Sequence, residues 1–175
     1  MIENVEHKAF AYNSYLEERR CPDGVYRVDL PYSANLDRIR ERVNVRFATS
    51  YSLGEVYQAI SHLARRSDLA AMGLIRESTV PLGGGDPILP MIPIHAHQIF
   101  AYTRYLDERR MRDGVVRDDL PYSPVLERIR GSVNHEFGTT YSLVEVYRAV
   151  SHIARRADLN EMGLLRESDV PLHGG

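Results

Sequence analysis

Histidine, cysteine and carboxylate side chains carry most protein catalysis and metal binding, but here they lack the spacing that either role needs. The chain has seven histidines and one cysteine, without an HExxH pair, a phosphate-cradling glycine loop or a nucleophile elbow. His95 and His97 lie two residues apart, and a metal bound there would need ligands from elsewhere in the chain. We therefore predict no catalytic residue, no metal site and no cofactor.

A second set of polar residues has the spacing of one helix face and the chemistry of nucleic-acid contact. Glutamine and arginine can read base edges, while serine and histidine can contact bases or phosphates. The predicted DNA-binding residues are Gln58, Ser61, His62, Arg65, Arg148, Ser151, His152 and Arg155. An ordinary solvated helix face explains the same pattern, because Glu55 would repel phosphate and the net charge of −2 lacks a basic excess.

Tyrosine is unusually frequent, with 11 residues and no tryptophan. Its ring offers a large apolar face and its hydroxyl forms hydrogen bonds, which suits a protein core, a domain interface or an aromatic pocket for a flat ligand. The candidate pocket residues are Tyr12, Tyr15, Tyr57, Tyr102, Tyr105 and Tyr147.

The overall composition, with 43% apolar and 26% charged residues, is typical of a soluble globular protein. A single cysteine excludes an intramolecular disulfide framework. No apolar run reaches the ~20 residues needed to span a bilayer, and the first residues do not resemble a signal peptide. The default expectation is a cytoplasmic protein without membrane contact.

The chain is an internal duplication, because a shift that places Met1 on Met91 aligns its two halves without a gap. His7–Gly24 then aligns with His97–Gly114, and more than half of the aligned positions are identical. We predict a first repeat over 1–85, a proline-rich apolar connector over 86–96 and a second repeat over 97–175.

Such a duplication suggests that one copy once formed a homodimer, which the fusion turned into a pseudo-twofold dimer within a single chain. Phe10 and Phe100 lie off the apolar stripe of each predicted first helix. We predict that these first helices, with Tyr15 and Tyr105, contribute to the contact between the halves.

Within one copy, the sequence predicts the order helix, short strand, helix, helix, strand. The first helix covers 8–20, and a short strand covers Val25–Leu30. Ser33 is the expected N-cap of a second helix, and Ser52–Glu55 forms a capping box that begins a third. A strand or extended tail is expected over Leu74–Val80. The apolar stripe of the second helix comprises Leu36, Ile39, Val43 and Phe47.

This order resembles the winged helix-turn-helix domains of transcriptional regulators. The stretch Tyr57–Arg76 is similar to the end of a recognition helix leading into the strand of a wing. The resemblance implies DNA binding through the third helix. We therefore expect a mainly α fold with minor β structure, built from two tandem three-helix, winged-helix-like domains that form a pseudo-twofold dimer.

These observations favour a non-enzymatic regulator that binds double-stranded DNA. We expect one chain to act as a monomer whose two repeats form the pseudo-dimer. The alternative is a protein that binds or sequesters an aromatic small molecule, or an adaptor for a protein partner. That alternative would use a tyrosine-rich groove between the repeats.

Overall fold

The computed structural model describes residues 1–87 and 89–173 and divides the chain into two compact units, Met1–Ile88 and Leu89–Gly175. The division falls inside the predicted connector 86–96. Ile88 of that connector, and Gly174 and Gly175 of the second repeat, lie outside the described residues.

Unit 1 contains three α-helices whose beginnings are fixed by side-chain caps. These are α1 (Val5–Arg19), α2 (Ala34–Phe47) and α3 (Leu53–Ala64). Helix α1 begins before the predicted residue 8 because the Asn4 side chain accepts a hydrogen bond from the amide of His7. The predicted N-cap Ser33 and the capping box of Ser52 and Glu55 are both confirmed.

Unit 2 repeats this arrangement with α4 (His95–Arg109), α5 (Pro124–Phe137) and α6 (Leu143–Ala154). Pro124 occupies the first turn of α5, where its missing N–H leaves no intrahelical bond unmade. Over the described residues, neither unit has a helix with the length and apolar character needed to cross a membrane.

The first helix of each unit lies at its centre. Helix α1 contacts both α2 and α3, and α4 contacts both α5 and α6. Helix α1 is therefore buried on more than one face, and both Tyr12 and Tyr15 belong to the core. Full burial of an aliphatic side chain contributes about 1.5–3 kcal/mol. The completely buried aliphatic residues contributed by the helices of unit 1 include Leu36, Ile39, Val43, Val56, Ile60 and Leu63.

The strand predicted over Val25–Leu30 is wrong, and so is the strand alternative of the prediction for Leu74–Val80. The segment Val25–Leu30 contains a 3-10 turn at Arg27–Asp29, and Leu74–Val80 contains another at Glu77–Thr79. Unit 2 has the same turns at Arg117–Asp119 and Glu167–Asp169, and the described ranges 1–87 and 89–173 contain no strand. The mainly α prediction is confirmed and the minor β component is not present in this part of the chain.

Side chains satisfy the carbonyls that a neighbouring strand would otherwise bind. The Tyr12 hydroxyl donates to the carbonyl of Ile75 at 2.6 Å, and the Arg19 Nε donates to that of Val80 at 2.9 Å. Because these backbone acceptors are already bonded, the segment after α3 lies along α1 without needing a second strand.

The connection between α2 and α3 is held by Asn44. Its Oδ1 accepts hydrogen bonds from the Tyr51 amide and the Thr49 hydroxyl, both at 2.8 Å, and its Nδ2 donates to the Tyr51 carbonyl at 3.1 Å. Asn134 makes the same three bonds in unit 2. These bonds hold the five-residue link between α2 and α3 at both Thr49 and Tyr51.

The C-cap of α2 is Ala48, a non-glycine residue in the left-handed region with φ of 52°, whereas the C-cap of α5 is Gly138 with φ of 62°. A left-handed conformation costs a residue with a Cβ about 1–2 kcal/mol. Glycine avoids this steric cost, but it loses more conformational entropy on folding, which offsets part of the gain. We expect Ala48→Gly to stabilise the protein by about 1 kcal/mol and Gly138→Ala to destabilise it by a similar amount. Urea denaturation of the whole chain, followed by circular dichroism, measures both changes. Shifts of the same sign in the two variants would contradict this explanation.

Candidate functional site

The exposed face of α3 is the part of unit 1 where the predicted DNA-binding residues can be compared with the structure. His62 and Arg65 are exposed, one turn apart, and Gln58 is partly exposed. Ser61 is completely buried, because it follows Tyr57 by four residues and lies on the same inward face of the helix. Ser61 is therefore inaccessible to a phosphate or base, and that part of the prediction is wrong.

Unit 2 places fewer of the predicted residues on its surface. His152 and Arg155 are exposed on α6, but Ser151 is completely buried like its counterpart. Arg148 is only 7% exposed, and its guanidinium donates to the Pro90 carbonyl at 2.9 Å. Arg148 therefore anchors the segment that precedes α4 and is not available as a base-reading residue.

The charges around the exposed histidines are positive in both units. Burial first, and then the cations Lys8, Arg66 and Arg65, lower the pKa of His62. Burial lowers the pKa of His152 in the same way, followed by Arg155, Arg156 and His95. We call these two groups the basic faces, defined by Lys8, His62, Arg65 and Arg66 in unit 1 and by His95, His152, Arg155 and Arg156 in unit 2.

Two exposed ion pairs lie at the edge of the basic faces. Arg66 binds both carboxylate oxygens of Asp68, at 2.8 and 2.7 Å, and Arg156 binds Asp158 in the same geometry. Arginine lowers the pKa of each aspartate, so both carboxylates remain ionised at neutral pH. Since exposed pairs of this kind are worth only about 0–1 kcal/mol, an incoming anion can compete for the guanidinium.

Glu55 lies at the other end of α3. Its carboxylate accepts the Ser52 amide at 3.1 Å and lies 3.6 Å from the N-terminal amine of Met1. The bond from Ser52 is the main reason that the pKa of Glu55 is lowered. Ten residues of helix separate Glu55 from Arg65 by about 15 Å, beyond a Debye length of about 8 Å at physiological salt. Its charge does little to the basic face.

The six tyrosines proposed for a ligand pocket are at most 1% exposed, and all lie in the cores of their own units. The Tyr15 hydroxyl donates to Glu77 at 2.7 Å and accepts from Arg19 at 3.0 Å. Burial, followed by the charge of Glu77, raises the pKa of Tyr15. Because the rings are fully packed, they offer no open surface to a ligand in this structure.

Sequence reasoning missed the polar partners of these tyrosines. Arg19 is 6% exposed, and Arg27 donates to Glu77 at 3.2 Å. Arg109, Tyr105, Glu167 and Arg117 form the same network in unit 2. The one sequence signal for this network is that its arginines and its glutamate are identical in the two repeats. Many surface residues are identical in the two repeats as well, so this identity does not distinguish buried polar residues from exposed ones.

Phe10 and Phe100 also make contacts inside their own units. Phe10 meets the Phe47 ring edge-on, with centroids 5.3 Å apart, and the His7 ring stacks on that of Phe47 with centroids 3.9 Å apart. The His7 Nδ1 lies 2.6 Å from the Tyr51 hydroxyl. His97, Phe100, Phe137 and Tyr141 form the equivalent cluster in unit 2. Phe10 in unit 1 and Phe100 in unit 2, which lie off the predicted apolar stripe, therefore each have aromatic packing partners within their own unit.

Three potential metal ligands, Glu18, Cys21 and Asp23, lie within 4.8 Å of one another. However, the Glu18 carboxylate is already bound by Arg38 at 2.8 Å and by Arg42 at 3.0 Å, and Arg38 also binds Asp23. A cation would have to displace both guanidinium groups from Glu18. The arrangement therefore fits ion pairing with arginine better than metal coordination.

Comparison with known proteins finds no matching family model, no similar curated protein and no similar solved structure.

The tyrosine network gives a direct stability prediction. Tyr15→Phe removes the hydroxyl that joins Arg19 to Glu77, and leaving buried partners unsatisfied costs about 1–3 kcal/mol. Tyr26→Phe is the matched control, because Tyr26 is exposed although its hydroxyl also binds a carboxylate, that of Asp86. Its expected cost is within about 0.5 kcal/mol. Urea denaturation measures the free energy of unfolding of both variants. Equal decreases in the two variants would show that the buried network contributes no more to stability than an exposed hydrogen bond does.

Proposed function

We propose that this protein is a non-enzymatic DNA-binding regulator that contacts the phosphate backbone with the basic faces of α3 and α6. The observation that carries the proposal is the repeated exposure of a histidine in the last turn of the third helix and of the arginine that follows at its C-cap, one turn apart, in each unit. A cytoplasmic location belongs to the same proposal.

The two exposed side chains suit phosphate contact in spacing and chemistry. His62 and Arg65 are three residues apart, which puts their Cβ atoms about 5–6 Å apart on one helix face. Arginine binds a phosphate through two parallel hydrogen bonds, and protonated histidine adds a charged donor. His152 and Arg155 repeat the pair on α6.

We expect the protein to contact mainly the DNA backbone and to recognise little of the base sequence. Of the predicted DNA-binding residues, Ser61, Ser151 and Arg148 are buried. The exposed histidines and arginines of the basic faces are assigned to phosphate, which leaves the partly exposed Gln58 as the base-reading candidate. Contacts to phosphate fix position and supply affinity but carry little sequence information. We therefore expect weak sequence preference from α3 and α6 alone.

The net charge of −2 does not describe the local field at these helices. Several carboxylates are neutralised within the fold, as Glu18 is by Arg38 and Arg42 and as Glu77 is by Arg27. The potential that a phosphate meets depends on the charges within about one Debye length, roughly 8 Å at physiological salt. On the basic faces those charges are mainly cationic.

The winged-helix resemblance adds a structural part to the proposal. In such domains the segment after the third helix forms the wing. Here that segment is an extended stretch at 74–76 followed by the turn Glu77–Thr79, and Ile75 and Arg76 are exposed on it. Unit 2 exposes Leu165 and Arg166 at the same place. We propose these segments as secondary contacts to the DNA backbone.

Removing both exposed arginines tests the phosphate contacts. For Arg65→Ala combined with Arg155→Ala, the slope of log affinity against log salt should become shallower by about 2, because each lost phosphate contact releases about one counterion fewer. Fluorescence anisotropy of a labelled duplex, titrated at several salt concentrations, measures the slope.

The matched control is Arg20→Ala with Arg110→Ala, which removes the same charge from two exposed repeated positions at the ends of α1 and α4. This control should keep the wild-type slope. Equal slopes for the two double variants, or no binding of any duplex by the wild type at low salt, would refute the proposal.

The pH dependence follows from the histidines of the basic faces. Their pKa values are lowered, so His62 and His152 are neutral at pH 7 and gain their charge only as the pH falls further. Arg66 and Asp68 stay ionised throughout this range, because their ion pair raises the pKa of Arg66 and lowers the pKa of Asp68. Because phosphate favours the protonated imidazole, DNA affinity should rise between pH 7.5 and pH 5.5.

His62→Ala combined with His152→Ala should remove most of that rise. His135→Ala with His173→Ala is the control, since both are exposed histidines away from the basic faces. Anisotropy titrations at constant ionic strength compare the three proteins. If the control loses the pH response and the His62 and His152 variant keeps it, the assignment of the basic faces is wrong.

A further inference from the structure

An open cleft of unit 1 runs along α2 and is bounded by Phe10 of α1. Its volume is about 520 Å³, and it is lined by Phe10, Arg38, Glu41, Arg42, Val45 and Arg46. Although four of these residues are charged, the surface that faces the cleft consists mostly of carbon atoms, and the Val45 side chain is 77% exposed. Volumes of roughly 300–1,000 Å³ with apolar walls and a few polar groups are typical of small-molecule sites.

The arginines of the cleft differ in what already binds them. Arg38 and Arg42 hold the buried Glu18 carboxylate at 2.8 and 3.0 Å, so their charges are used within the fold. Arg46 instead lies 5.8 Å from the centre of the Phe47 ring. Within residues 1–87 and 89–173 no carboxylate forms an ion pair with Arg46. The cleft therefore combines an apolar surface with one cation that is not neutralised by an acid.

We propose that this cleft binds an amphiphilic organic anion, a small molecule with an apolar body and a carboxylate or sulfonate head. The body packs on the Phe10 ring and the Val45 side chain, where it covers apolar surface now exposed to water. The head is bound by the Arg46 guanidinium, whose planar pair of donors matches a carboxylate. The Glu41 carboxylate also lines the cleft and would repel the anionic head, so the head is expected at Arg46 and not at Glu41.

Unit 2 has lost the residues that this binding needs. Phe100 and Arg128 correspond to Phe10 and Arg38, but His135 replaces Val45 and Glu136 replaces Arg46. The replacement at the last position reverses the charge that would hold the head group. The site is therefore specific to unit 1.

Arg42 is also replaced in unit 2, but its role is structural, because it binds the buried Glu18 carboxylate. Ser132 stands in its place, but Arg104 of α4 lies 3.7 Å from the buried Glu108 and replaces the missing partner. The ion pair to the buried glutamate is thus kept by a compensating change. Nothing in the described part of unit 2 compensates for the loss of Val45 and Arg46, as expected if these two serve a ligand of unit 1.

Titration of the whole 175-residue chain with 8-anilinonaphthalene-1-sulfonate, followed by the fluorescence of this dye, tests the proposal. We expect one site per chain and displacement of the dye by decanoate below its micellar concentration. Val45→His combined with Arg46→Glu should weaken dye binding at least tenfold. Both new residues occur at the corresponding positions of unit 2, so the fold should tolerate them, which circular dichroism verifies. Arg20→Glu, an exposed charge reversal at the end of α1, should leave binding unchanged.

The reciprocal variant, His135→Val with Glu136→Arg, should raise the stoichiometry from one dye to two, and it tests the same residues even if the first variant unfolds. Retention of dye affinity within twofold in the Val45 and Arg46 variant would overturn the proposal. So would failure of decanoate to displace the dye, equal binding of a cationic aromatic dye, or a stoichiometry that stays at one in the reciprocal variant.

Discussion

The buried guanidinium of Arg19 is the interaction on which the rest of unit 1 depends. It is 6% exposed, and it donates to the Val80 carbonyl at 2.9 Å and to the Tyr15 hydroxyl at 3.0 Å. An ionised group removed from water is costly unless partners surround it, so Tyr15, Glu77 and the Val80 carbonyl must be in place together. This requirement ties the segment after α3 to the end of α1, and Arg109 imposes it again in unit 2.

The orientation of α3 follows from that attachment. Helix α1 packs against both α2 and α3, and the segment after α3 returns to α1, so α3 is held along its apolar side and at its end. Its inward face takes Tyr57, Ile60 and Ser61, and its outward face keeps His62 and Arg65 in water. The proposed phosphate contacts are therefore set by core packing, and the same holds for α6.

Features that depend on neighbouring residues could be predicted from the sequence, and features that depend on distant partners could not. Ser33 and the Ser52–Glu55 capping box fixed two helix beginnings because a cap bonds within three or four residues. Tyr15, in contrast, meets Glu77 across 62 positions, and no local pattern marks that pair. The strand predictions failed for the same reason, since side chains of α1 bond the Ile75 and Val80 carbonyls. His62 and Arg65 were correctly placed on the outer face by helical spacing, while burial of Arg148 depends on a contact with Pro90 outside its helix.

The most direct measurement of the central claim is an amide proton–nitrogen NMR titration of the whole 175-residue chain with a short DNA duplex at low salt. The proposed contacts predict that the largest chemical-shift changes fall on the amides of α3 and α6 around His62, Arg65, His152 and Arg155, and that they reverse when salt is added. Shifts confined to other helices, or a spectrum that the duplex leaves unchanged, would contradict the claim that these faces bind DNA.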